Sequence, residues 1–251
     1  MIGAELAEIA EEAAGLILPL WRTGLAVDSK ADESPVTEAD RRAETLILAR
    51  LSERFPDIPV ISEEHASEFG TPDQIGPRFF LVDPLDGTKA FVRGDPHFTV
   101  NIALIESGAP VAGAVVAPPS GETWFTLDSL ALKRHAPGAE AAPVRPRPWP
   151  EGAALALISH TMKVETADKL AEQYGFHLRE PMDSSIKFCR IAEGVADIYP
   201  RHGTTMEWDT AAGHAVLIAA GGRVTGVEGE RFVYGKADQG FKNGWFVARG
   251  G

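Results

Sequence analysis

The transition from Phe79-Phe80-Leu81-Val82 into Asp83-Pro84-Leu85-Asp86-Gly87-Thr88 restricts what this chain can fold into more than any other stretch. A short apolar run bounded by Asp-Pro and Gly reads as a buried strand. Asp83 is therefore expected at the strand's mouth, outside the core. Two carboxylates so close together repel each other unless cations lie between them. Hard divalent ions take oxygen ligands, and Mg²⁺ is commonly held by a few carboxylates together with substrate phosphate oxygens. Gly87 lets the backbone approach a ligand closely, and consecutive amides leading into a helix suit a phosphate. An Asp-Pro turn capped by Asp86 and relaxed by Gly87 accounts for the same residues, so this segment alone leaves both meanings open.

Further acids stand in three other segments. Ile58-Pro59-Val60-Ile61 reads as a second short strand and ends in Ser62-Glu63-Glu64. Asp209 follows Trp208 and opens an apolar run, Thr210 to Ala220, that ends at Gly221-Gly222 in helical fashion. A plain N-cap explains an Asp there equally well. Asp40 lies in Pro35-Val36-Thr37-Glu38-Ala39-Asp40, where Thr37 and Asp40 have the spacing of a capping-box variant.

In order along the chain, the segments VTEAD, SEE, DPLDGT and WDTAAG run from Val36 to Gly213, and together they resemble the inositol monophosphatase superfamily of metal-dependent phosphatases. Each segment is weak alone, whereas DPLDGT followed far downstream by WDTAAG is specific. Three more stretches are similar to the 3'(2'),5'-bisphosphate nucleotidase branch: Phe98 to Ile105, Ser184 to Cys189 through Tyr199-Pro200-Arg201, and Glu207 to Ala215. The resemblance implies a layered αβαβα sugar-phosphatase fold, α/β in class with an α+β N-terminal part.

It also implies a set of roles. Metal ligands carry over to Glu63, Asp83, the Leu85 carbonyl, Asp86 and Asp209, with Asp40, Glu63 and Thr88 orienting the attacking water. Gly87 and Thr88 match phosphate-binding positions, and His160, Ser184, Lys187 and Arg201 match substrate contacts. The implied cofactor is two or three Mg²⁺ ions, with Li⁺ as a competing inhibitor. The implied chemistry is direct in-line attack of water on the 3'-phosphate of 3'-phosphoadenosine 5'-phosphate, without a covalent phosphoenzyme. An inositol monophosphatase or histidinol-phosphatase relative uses the same metal centre, and a non-catalytic nucleotide or metal sensor is the alternative from another class. Two departures from the branch stand out. Asp183 replaces a Gly before the Ser-Ser pair, adding a negative charge where an anionic nucleotide would bind, and the Gly-Ala-rich turn after the Trp124 hairpin is absent.

Composition agrees with an enzyme of small substrates. In 251 residues, 44% hydrophobic content suffices for a substantial core, as one large domain or two smaller ones. A formal net charge of -12 argues against nucleic acid or an anionic membrane surface as partner, while bound cations can reverse the field locally. The one cysteine, Cys189, excludes an intrachain disulfide and reads as a buried apolar residue on a helix. The acidic amino terminus lacks the basic start of a secretion signal, and the longest apolar candidate for a span is broken by Pro110, Pro118 and Pro119. The expected location is the cytoplasm, and since the family is often dimeric a homodimer is left open.

Leu6, Ile9, Ala10, Ala13, Leu16, Ile17 and Leu20 recur at helical spacing, and a second amphipathic helix is expected from Thr37 to Arg54. Phe98 to Leu127 reads as an antiparallel meander. The proline-rich stretch Ala136 to Pro150 is expected to break regular structure and to separate an N-terminal α+β metal-binding domain, 1–140, from a C-terminal α/β substrate-binding domain, 151–251. His65, His97, His135, His177 and His202 show no metal-ligand spacing and read as surface or turn residues. Arg145 and Arg147 read as solvated linker charges, Trp21 and Trp124 as core or interface anchors, and Trp208 as a wall of the site through its neighbour Asp209.

Overall fold

The computed structural model describes residues 2–21 and 38–251, with the backbone alone of 28–29 and 35–36; the expected capping partner Thr37 lies outside the described residues. Helix α1 (Ile2–Ile17) is followed by a 3-10 turn at Leu18–Leu20, where Pro19 cannot continue an α-helix. Strands β1 (Asp28–Ser29) and β2 (Pro35–Val36) pair with each other. Helix α2 (Glu38–Arg54), β3 (Val60–Ser62), α3 (Glu63–Phe69), β4 (Arg78–Asp86) and the short α4 (Thr88–Arg93) lead into a meander. That meander comprises β5 (Thr99–Glu106), β6 (Ala109–Ala117), β7 (Glu122–Leu127), β8 (Leu130–Arg134) and β9 (Ala142–Pro143). The strands β3 to β9 form one sheet in sequence order, antiparallel except for the parallel pair β3 and β4.

The rest of the chain alternates: β10 (Leu155–Ile158), α5 (Val164–Tyr174), β11 (Leu178–Pro181), α6 (Ile186–Ala192), β12 (Ile198–Arg201), β13 (Thr205–Met206), α7 (Ala211–Ala220), β14 (Arg223–Gly226), β15 (Lys242–Asn243) and β16 (Phe246–Arg249). Its main sheet has the order β11-β10-β12-β16-β14, parallel among the first three and antiparallel around β16.

Two-residue periodicity turns these strands into layers. Along β4, Phe80 and Val82 face the cluster formed by Leu6, Ile9, Ile47 and Leu51 of α1 and α2. Phe79 and Leu81 face the opposite way, into the cluster shared with Phe188, Ala212 and Val216 of α6 and α7. Along β10, Leu157 joins that same middle cluster, while Ala156 and Ile158 pack on Ala167 and Leu170 of α5. Helices, sheet, helices, sheet and helix are thus stacked as αβαβα. Each fully buried Leu or Ile contributes roughly 1.5–3 kcal/mol. Gly113 of β6 allows a close approach between layers, since a Cβ there would stand 2.8 Å from both the Ala212 carbonyl oxygen and the Ala215 Cβ of α7.

A charged cluster ties the first sheet to α6. Lys133 lies 2.6 Å from both Glu122 and Glu193, Arg190 donates to both carboxylates, and the Trp124 indole donates to Glu193 at 3.1 Å. Burial alone would raise the Glu122 pKa, but hydrogen bonds from Arg190 and Lys133 outweigh it and lower the group to about 2. A carboxylate depressed from 4.5 stabilises the fold fully above that value and loses its contribution as pH falls toward 2. Urea unfolding between pH 5 and 3 is therefore expected to show a shallower loss of stability in Glu122→Gln than in the wild type. Equal slopes would remove this cluster from the acid sensitivity of the fold.

Several expectations need correction. The strand does not run out before Asp83; β4 continues to Asp86 with a register irregularity between the two acids, and Asp83 is buried. Leu16 is 39% exposed, because Ile17 occupies the inward position of that turn. The proline-rich stretch is not wholly irregular: Ala142 and Pro143 pair with Lys133 and Leu132 at the sheet edge, where a missing N–H is tolerated. Arg147 is not a solvated linker charge. It donates twice, at 2.7 Å, to the buried Asp197, which also accepts the Leu155 N–H. Trp208 belongs to the middle core cluster and does not line the cleft.

Candidate active site

One cleft of about 560 Å³ opens where β4, α3 and α4 face β10, α6 and α7. Glu63 enters it as the first residue of α3, directly after the strand residue Ser62. Asp83 and Asp86 enter from β4. The Leu85 N–H donates to Asp83 at 3.1 Å, and the Leu85 carbonyl accepts the Thr88 hydroxyl at 3.1 Å, so the local turn is closed by its own side chains. Gly87 has φ of 96°, and a Cβ there would stand 2.9 Å from the His97 carbonyl oxygen. Only glycine meets both conditions without strain.

Asp209 arrives from the other side. It is not the N-cap of α7, which is Thr210; its carboxylate accepts the Met206 N–H at 2.8 Å. Ser185 connects the two sides, its N–H donating to Asp86 at 2.6 Å and its hydroxyl to the Asp209 carbonyl at 2.5 Å. Asn101 of β5 also donates to Asp86, at 3.1 Å. Neither Ser185 nor Asn101 carried a role in the sequence. A buried amide within the otherwise apolar run Phe98 to Ile105 was the available signal.

Lys187, Arg201, His160 and Ser184 line the same cleft as the acids. The Lys187 ammonium is buried, donates to the Met182 and Ser184 carbonyls at 3.1 and 2.6 Å, and lies 4.8 Å from the centre of the Tyr199 ring. Burial lowers its pKa to about 8, against the opposing pull of Asp86 and Asp183. The charge expected from Asp183 is not bare: its carboxylate lies 2.9 Å from Arg93 and 3.3 Å from His160. Asp40 is buried in the first turn of α2 and outside the cleft lining, acting on Asp83 through its charge.

Burial pushes the Asp83 and Asp209 carboxyls well above their usual range, and the charges of Glu63 and Asp86 push both further. Asp86 is raised by burial too, with Lys187, Asn101 and Ser185 opposing. A concentration of acids held at this cost fits a cation. Among the described residues no group of three or more His, Cys, Asp or Glu side chains is arranged to hold a metal ion by itself. Mg²⁺ is commonly bound through one or two carboxylates and keeps waters and substrate oxygens in its shell.

The model of the inositol monophosphatase family matches residues 3–246. The chain belongs to the inositol monophosphatase family. Among its relatives is the 3'(2'),5'-bisphosphate nucleotidase CysQ of Salmonella typhimurium, 43% identical over 205 residues, or 82% of this chain and 81% of the relative. CysQ of Escherichia coli O157:H7 is 40% identical over 92% of both chains. The crystal structure of CysQ from Bacteroides thetaiotaomicron superposes with a TM-score of 0.79 at 33% identity, covering 98% of this chain and 96% of that one. An inositol monophosphatase from Zymomonas mobilis gives 0.77 at 25% identity, covering 98% and 91%. Inositol monophosphatase family enzymes are metal-dependent, in agreement with the all-oxygen donor set described above. Among the described residues no helix is long and apolar enough to cross a membrane.

Proposed function

We propose that this chain is a Mg²⁺-dependent phosphomonoesterase that hydrolyses the 3'-phosphate of 3'-phosphoadenosine 5'-phosphate, yielding AMP and phosphate. The observation that carries this reading is the presence, within one cleft, of both an acid cluster at Asp83, Asp86, Asp209 and Glu63 and the cations Lys187 and Arg201. A substrate with a phosphate at each end suits such a cleft. The activity of the CysQ relatives, 40–43% identical over most of the chain, supports the same substrate.

Residues 1–140 supply Glu63, Asp83, Leu85 and Asp86, and 151–251 supply the nucleotide contacts together with Asp209. Two or three Mg²⁺ ions are proposed to be held by Glu63, Asp83, the Leu85 carbonyl, Asp86 and Asp209. Bound Mg²⁺ supplies a water acidic enough to attack at neutral pH and offsets charge on the departing ribose oxygen. Glu63 and Thr88 orient the attacking water, which approaches phosphorus in line with the leaving oxygen, and Asp40, itself buried, acts through its charge on Asp83. Gly87 and Thr88 receive the reacting phosphate through their backbone N–H donors. Lys187, Arg201, Ser184 and His160 receive the remainder of the nucleotide.

A substrate panel tests the assignment. With Mg²⁺ present, kcat/KM is expected to be at least about tenfold higher for 3'-phosphoadenosine 5'-phosphate than for myo-inositol 1-phosphate, histidinol phosphate or fructose 1,6-bisphosphate. A preference for the inositol ester would move the chain to the inositol phosphatases. Nucleotide binding without Mg²⁺-dependent turnover would make it a sensor.

A further inference from the structure

The residue that departs from the nucleotidase branch, Asp183, sits at the cleft rim between two positively chargeable groups from opposite halves of the molecule. Arg93, the last residue of α4, reaches its Oδ2 at 2.9 Å, and the His160 Nδ1 lies 3.3 Å from the same oxygen. Arg93 is also 3.9 Å from Asp95, whose other oxygen lies 3.1 Å from the His97 Nδ1. The His97 and His160 rings stand 6.3 Å apart. Asp183 is 21% exposed, against 50% for Arg93 and 34% for His160, so the carboxylate is the sheltered centre of this group.

Two consequences follow from elementary chemistry. A carboxylate paired with a guanidinium presents little net charge to an incoming anion, and a surface pair of this kind contributes little stability of its own. A carboxylate beside one imidazole nitrogen selects the tautomer with the proton on that nitrogen and sets the ring's orientation. The other nitrogen, Nε2, is then left as an acceptor.

We propose that Asp183 is a positioning residue: clamped by Arg93, it holds His160 as the Nδ1–H tautomer, so that Nε2 accepts a hydrogen bond from an N–H or O–H group of the nucleoside. This rests on the nucleotidase reading above and adds to it a determinant of nucleoside recognition that acts through His160. A glycine at position 183 leaves His160 without this partner.

The test combines kinetics with an observation that needs no substrate. In Asp183→Ala, KM for 3'-phosphoadenosine 5'-phosphate is expected to rise about tenfold with kcat within about twofold, the pattern of lost uniform binding. Hydrolysis of p-nitrophenyl phosphate, which has no nucleoside, should keep its KM. Nitrogen-15 spectra of the metal-free protein should show the Nδ1–H tautomer of His160 in the wild type and its loss in the variant. In a His160→Ala background, Asp183→Ala should add nothing to KM, since both changes remove the same interaction. Asp183→Gly serves the same series if the Ala variant fails to fold.

A fall in KM for the bisphosphate would show that the charge repels substrate and would overturn the proposal. Equal changes on both substrates, or an unchanged His160 tautomer, would overturn it as well. Should the wild type fail to hydrolyse the bisphosphate, the nucleotidase reading falls, while the spectra still decide the link between Asp183 and His160.

Discussion

Asp83→Asn is expected to lower Mg²⁺-dependent phosphate release by about a thousandfold or more, roughly 4 kcal/mol of barrier, while the protein stays folded. Asn keeps the shape of the side chain and its acceptor for the Leu85 N–H, and removes only the charge. That charge is buried at 1% exposure among Glu63, Asp86, Asp209 and Asp40. Without a cation the wild-type carboxylate is destabilising there. The metal-free variant should therefore melt above the metal-free wild type, by about 2–4 °C for each kcal/mol of repulsion relieved in a protein of this size. Added Mg²⁺ should raise the melting temperature of the wild type, as any ligand bound only by the native state does, and should do so far less in the variant. Thermal scans with EDTA and with Mg²⁺, beside kcat, check both signs. Turnover within tenfold of wild type, or an undiminished Mg²⁺ effect on melting, would remove Asp83 from the metal site.

Gly87→Ala should cost about 2–4 kcal/mol of stability and about a hundredfold in kcat. The position has φ of 96°, which an L-residue adopts only with strain, and the added methyl meets backbone atoms, the His97 carbonyl oxygen at 2.9 Å and the Phe98 Cα at 3.2 Å. Backbone atoms cannot rotate aside. Relief comes either from shifting Phe98, which is fully buried against the edges of Trp21 and Phe91, or from shifting the Gly87-Thr88 turn. The first loosens the core. The second breaks the Thr88 bond to the Leu85 carbonyl and displaces the donors proposed to meet phosphate. Urea unfolding and steady-state kinetics separate the two, and wild-type values in both would show that the turn has room the distances deny.

Much of the fold was legible in the sequence because its signals are local. Helical spacing marked α1 and α2, and alternation from Phe98 to Leu127 marked the meander. Other elements were silent. Strand β11 is exposed throughout and reads Leu-Arg-Glu-Pro, so neither apolar alternation nor β-branched residues announce it. Its parallel pairing with β10 creates it. Pro143 disguised β9 in the same way, since an edge position accepts a residue that a strand interior refuses. Arg147 looked like linker charge because its partner Asp197 lies 50 residues away.

What the sequence determined by itself was chemistry set by neighbours: apolar runs of period two, acids placed where those runs end, and a glycine where the turn demands one. Tertiary structure alone decided how distant acids share a cleft. The Ser185 N–H reaches Asp86 across 99 residues, and Arg93 reaches Asp183 across 90. Such bonds leave no periodicity in the chain, because each joins two residues whose own surroundings are ordinary; their energy depends on burial and distance, which exist only once the layers have packed.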